Sequence, residues 1–97
     1  MSETKATRTV VVTDPAGVHA RTAVAIREAV MRGNSQVRLI KDKQPVSGTD
    51  VLQIMTMVAE QGDKVTIEAV GPDAETVLAA LEPLFAGRFG DEAQKSA

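Results

Sequence analysis

A single histidine occurs in this chain, His19, within Gly17-Val18-His19-Ala20-Arg21-Thr22. A neutral imidazole nitrogen is a competent nucleophile, and the ordinary imidazole pKa of about 6.5 leaves such a ring mostly neutral near pH 7. Arg21, two residues on, supplies a planar, permanently charged fork suited to phosphate. The residues that follow have helical spacing, so both side chains would stand at a helix start. Unpaired N–H groups and a partial positive charge favour an anion there. This combination can accept a phosphoryl group on the ring and hold it with backbone donors and Arg21. The hold must be modest, because a phosphorus–nitrogen bond is reactive and a carrier must pass the group on. No metal cluster is visible, and Asp14 is the closest acid in sequence. A surface histidine with no special role is the competing reading, and residue chemistry alone leaves the two level.

The elements that would position these residues are short and well punctuated. R-T-V-V-V-T at 8–13 is β-branched and predicts a strand. D-P-A-G at 14–17 is turn chemistry. From Ala20 to Met31, Ala23, Ile26, Ala29 and Val30 recur at helical spacing, and Gly33-Asn34 suits a left-handed cap. Residues 36–41 alternate, with Val37 and Leu39 inward. D-K-Q-P at 42–45 predicts a turn and a short edge strand, since Pro45 has no N–H for a central ladder. S-G-T-D at 47–50 offers caps for a short helix reaching about Ala59. After Gln61-Gly62-Asp63, residues 64–70 alternate with Val65, Ile67 and Ala69 on one face. A last helix starts after 71–73 and carries Val77, Leu78, Leu81, Leu84 and Phe85. Pro83 either bends that helix or ends it near Leu81, with a looser turn carrying Leu84 and Phe85 inward. The order βαββαβα, with alternating strands, predicts an α+β fold: a mostly antiparallel sheet with its helices on one face.

Bulk composition narrows the setting. The 97 residues fit one domain, with short flexible termini expected at about 1–6 and 91–97. Hydrophobic residues make up 43% and charged residues 25%, which disfavours a disordered chain. There is no cysteine, hence no disulfide framework, thiol nucleophile or thiolate metal site. The first residues lack the apolar region of a signal peptide, and no run approaches the ~20 apolar residues of a membrane span. A cytoplasmic location is the expectation. The formal net charge is -2, and tryptophan and tyrosine are absent. That is poor equipment for nucleic acid, so a protein partner is expected, with the chain itself a monomer.

G-V-H-A-R-T resembles the G-[LIM]-H-[AT]-R-P active-site motif of HPr, the histidine-containing phosphocarrier of the bacterial phosphoenolpyruvate-dependent phosphotransferase system. The similarity runs from about Thr7 to Gly90. V-T-I-E-A-V-G-P-D resembles the family's last strand and following turn, and A-E-Q-G-D-K-V the turn before it. The resemblance implies an open-faced β-sandwich with a four-stranded antiparallel sheet. It implies that His19 takes phosphate through Nδ1 from phosphorylated enzyme I and gives it to an EIIA-type domain. Arg21 would neutralise the phosphoryl charge, and the backbone N–H groups of Ala20, Arg21 and Thr22 would complete the cradle. No cofactor and no metal are implied, and such a chain is a carrier with a covalent intermediate rather than an enzyme.

Two positions depart from the family pattern. Thr22 stands where proline is usual, restoring an N–H and adding a hydroxyl able to reach phosphate oxygens, while loosening the turn. Proline there is read as occupying a first helical position. Asp50 aligns with a serine that is a regulatory phosphorylation site in many members. An N-cap role suffices for it, and partial mimicry of phosphoserine is the sharper reading. The short helix also has more apolar residues than one face can hold. With Ile54, Met57 and Val58 inward, Val51, Leu52 and Met55 remain at the surface as a docking patch for donor and acceptor. The alternative function is a regulatory module of a nitrogen-related or incomplete phosphotransferase system, signalling to kinases or transcription factors. L-F-A-G-R-F-G-D-E resembles the tails of nitrogen-related members. RNA binding on a sheet lacking aromatics, and stand-alone hydrolysis without a placed base or metal, are disfavoured.

Overall fold

The computed structural model describes residues 4–89. Four strands, β1 (Thr4–Val11), β2 (Gln36–Lys41), β3 (Gln44–Ser47) and β4 (Lys64–Gly71), form one sheet in the order β1-β4-β2-β3. Every pairing is antiparallel. The helices are α1 (Ala20–Arg32), α2 (Val51–Thr56) and α3 (Ala74–Leu81), the last followed by a 3₁₀ turn over Glu82–Ala86. The element order and the α+β, open-faced architecture match the sequence expectation. No helix among the described residues is long and apolar enough to cross a membrane.

The alternation of each strand sorts its side chains between two faces. Val10, Val37, Leu39, Val65, Ile67 and Ala69 are buried under the helices. The opposite face is polar and open: the hydroxyls of Thr9 and Thr66 lie 3.0 Å apart, and Arg38 donates to Glu68 at 2.7 Å. The helices close the core with Ala23, Ile26 and Val30 from α1, Ile54 from α2, and Val77, Leu78 and Leu81 from α3. Each large apolar side chain buried there contributes about 1.5–3 kcal/mol of transfer free energy. Asp42 and Lys43 both have positive φ, 54° and 67°, in the two-residue hairpin joining β2 to edge strand β3.

Several local expectations are corrected. The first strand begins at Thr4 rather than Arg8. Residues 4–6, read as part of a loose terminus, pair with 69–71, and Ala6 is buried. The strand also ends at Val11; beyond it, Val12 donates to Asp63 and Thr13 to Phe85 through backbone bonds. Gly33 is extended (φ -103°) rather than left-handed. Glycine is needed there for close approach, since a Cβ would come within 2.7 Å of Val77 Cγ2. α2 stops at Thr56, short of Ala59. Val58 then takes a positive φ of 48° and is 63% exposed, so it faces outward rather than inward. Of the two outcomes at Pro83 the second holds: α3 ends at Leu81, and the proline opens a 3₁₀ turn that buries Leu84 and Phe85. In the first turn the missing N–H of proline breaks no bond. The tail expected at 91–97 lies outside the described residues.

Candidate phosphoryl-acceptor site

His19 is the N-cap of α1, with extended backbone (φ -114°, ψ -172°). The helix runs thirteen residues, and its first intrahelical bond is Ala23 N–H to His19 O at 2.9 Å. The N–H groups of Ala20, Arg21 and Thr22 therefore precede the i→i−4 ladder and sit at the positive end of the helix dipole. His19, Ala20, Arg21 and Thr22 thus all stand at this helix start. The imidazole faces the Thr22 N–H without closing a full cap bond, and its side chain is 35% exposed. Arg21 is exposed on the first turn.

Thr22 differs from its sequence reading. It occupies the third helical position, not the first, and is 1% exposed. Its hydroxyl accepts weakly from the His19 N–H at 3.4 Å, so it turns into the fold instead of toward a phosphate. The buried side chain braces the first turn, and the backbone N–H of Thr22 faces the imidazole.

Two side chains join the site that the sequence left unplaced. Asp14 Oδ2 lies 3.5 Å from His19 Nε2, with the carboxylate side chain 13% exposed. Phe89 stands edge-on to the imidazole, with centroids 6.0 Å apart and planes at 71°. The Arg21 guanidinium carbon lies 4.8 Å from the centre of the same ring, a cation–π distance. Gly17 positions the loop. It has φ 71°, and a Cβ there would come within 2.6 Å of Ala59 O. That close approach lets Val18 N–H donate to Ala59 O at 2.8 Å. The stretch after α2 is thereby bonded to the loop that carries His19. No short-range pattern links 14, 59 and 89 to 19, and only D-P-A-G turn chemistry hinted at a shaped loop.

The neighbouring surface is apolar. Leu52 is 77% and Met55 41% exposed, as expected, whereas Val51 is half-buried against the core. Val58 joins the exposed group, and Val24 on α1 is exposed as well. Asp50 caps α2 by accepting from Gln53 N–H at 3.1 Å.

A family model described as the PTS HPr component phosphorylation site matches residues 6–87. The chain belongs to the HPr family of phosphocarriers. HPr of Treponema pallidum is 36% identical over 85 residues, spanning 88% of this chain and 97% of that protein. The phosphocarrier NPr of Escherichia coli K12 is 29% identical over 86 residues, spanning 88% and 96%. The crystal structure of an HPr from Bacillus anthracis superimposes with a TM-score of 0.78 at 28% identity, covering 82% of this chain and 95% of that one. As an HPr-family protein, the chain is a phosphocarrier component of a phosphotransferase system, and the open sandwich is the architecture it shares with HPr structures.

Proposed function

We propose that this chain accepts a phosphoryl group on Nδ1 of His19 from phosphorylated enzyme I and passes it to an EIIA-type domain. In this reading it works in the cytoplasm as a monomeric carrier, not as an enzyme in its own right. One observation carries the reading: the only imidazole of the chain is half-exposed at the start of a thirteen-residue helix, with Arg21 on the same turn. In the transfer, the Nδ1 lone pair forms a bond to phosphorus while the donor's bond to phosphorus breaks and keeps its electron pair. The N–H groups of Ala20, Arg21 and Thr22, which precede the helical ladder, and the Arg21 guanidinium then face the phosphoryl oxygens. Leu52 and Met55, with Val51 at their edge, form the surface on which donor and acceptor dock in turn, and Val58 extends it.

The test is incubation with phosphoenolpyruvate and enzyme I, followed by intact-mass measurement at neutral and acid pH. A single phosphoryl adduct, lost in acid and absent from His19→Ala, is the expected result. An adduct that survives in His19→Ala would overturn the assignment.

A nitrogen-related or regulatory role is the second reading. It is favoured by the near full-length likeness to an NPr. In that branch the phosphorylation state of His19 is itself the signal. Asp50, whose carboxylate already serves α2 as a cap, would then also present a fixed negative charge at the position of the regulatory serine.

A further inference from the structure

We propose that Asp14 is a positioning residue for phosphoryl transfer, holding the His19 ring in the tautomer that carries its proton on Nε2 and leaves Nδ1 nucleophilic. This rests on the carrier reading above. The carboxylate is built into its place independently of the histidine. Ala16 N–H donates to Asp14 Oδ1 at 2.9 Å, Gly17 N–H donates to the Asp14 carbonyl at 2.8 Å, and Asp14 N–H donates to Phe85 O at 3.2 Å. Residue 87 leaves room for the other oxygen: a Cβ at Gly87 would stand 2.9 Å from Oδ2. One carboxylate oxygen is therefore occupied by its own loop, and the second is left 3.5 Å from Nε2.

An ionised carboxylate is only an acceptor, so a ring nitrogen facing it is favoured when it bears the hydrogen. A neutral imidazole has one such hydrogen, and placing it on Nε2 leaves the lone pair on Nδ1. That nitrogen is left on the helix-start side, where the Thr22 N–H faces the ring and a phosphoryl donor would approach. When the Nδ1–phosphorus bond forms and the donor's bond to phosphorus breaks, Nε2 keeps its proton and the ring gains positive charge. No proton has to move during the step. The 3.5 Å separation is long for an N–H···O bond, so the contact is weak in the resting ring. It strengthens as charge develops, and an interaction stronger in the transition state accelerates the step. Phe89 packs edge-on against the same ring, with centroids 6.0 Å apart.

The experiment compares the protein with Asp14→Asn, which is isosteric and can still accept from Ala16 N–H. ¹⁵N spectra of the imidazole at alkaline pH read the tautomer, and the initial rate of phosphoryl uptake from phosphorylated enzyme I reads the chemistry. Wild type should show a protonated Nε2 and an unprotonated Nδ1. The variant should show a mixture, with uptake slowed about tenfold, which corresponds to ~1.4 kcal/mol. Asp14→Ser, whose hydroxyl can keep the turn, serves if the asparagine variant does not fold. An unchanged tautomer in the variant overturns the proposal whatever the rate, and so does an altered tautomer with undiminished uptake. Should wild type take up no phosphoryl group, the carrier reading fails, while the ¹⁵N spectra still decide whether Asp14 orders the ring.

Discussion

Gly17→Ala is the most direct probe of how the fold holds His19 in place. Two separate costs arise at that position. A side chain at φ 71° incurs roughly 1–2 kcal/mol for left-handed backbone. In addition, the new Cβ would sit 2.6 Å from Ala59 O and 3.1 Å from Glu60 Cα, so the backbone must retreat. That retreat sacrifices the Val18 N–H to Ala59 O bond, worth about 0.5–1.5 kcal/mol. The total is ~1.5–3.5 kcal/mol. Gly62→Ala is the internal control: its φ is also positive, at 94°, but nothing lies within 4 Å of an added Cβ. It should show the backbone cost alone. The two variants should therefore differ by about 1 kcal/mol or more, or about 4–8 °C in Tm for a domain of this size, measured by calorimetry under identical conditions. Phosphoryl uptake should fall in Gly17→Ala and stay near wild type in Gly62→Ala, because only the first displaces the loop before His19. Equal Tm shifts, or full uptake in Gly17→Ala, would refute the argument that close approach of 17 to 59 sets the site.

Three further outcomes are expected. Asp73 is held below the ordinary carboxylate range, chiefly by the Ser35 hydroxyl and then by the Asn34 N–H, both of which donate to it. A depressed folded value adds stability above the ordinary carboxylate pKa that disappears as pH falls through the folded one. The stability gap between wild type and Asp73→Asn should thus be flat near neutrality and close below about pH 4; a gap that stays constant into acid would contradict it. Thr22→Pro should retain phosphoryl uptake within about threefold, because the Thr22 N–H precedes the i→i−4 ladder and the lost hydroxyl contact is a weak one at 3.4 Å; abolished uptake would show that this N–H is indispensable. Met55→Glu should weaken association with enzyme I about tenfold in a binding titration, with Tm unchanged, since Met55 is 41% exposed; unfolding would instead place Met55 in the core.

Periodicity alone determined most of this protein's architecture. The stripes Ala23–Ile26–Val30, Val37–Leu39 and Val65–Ile67–Ala69 are all buried where alternation or helical spacing put them. These patterns are local consequences of how side chains leave a strand or a helix, so a short window contains them. The His19–Arg21 pair at a helix start was legible for the same reason. Other features were decided only by tertiary structure. The outward turn of Val58, the extended Gly33 and the early start at Thr4 each depend on a partner far along the chain: the loop at 17–18, the side chain of Val77, and the strand edge at 69–71. The same holds for the inner surroundings of the histidine. Asp14 and Phe89 reach the imidazole because Thr13 and Asp14 bond to Phe85 O across the end of the sheet. Residue types declare what chemistry is available, but the distance between groups separated by many residues is set by the packing that closes the core over them.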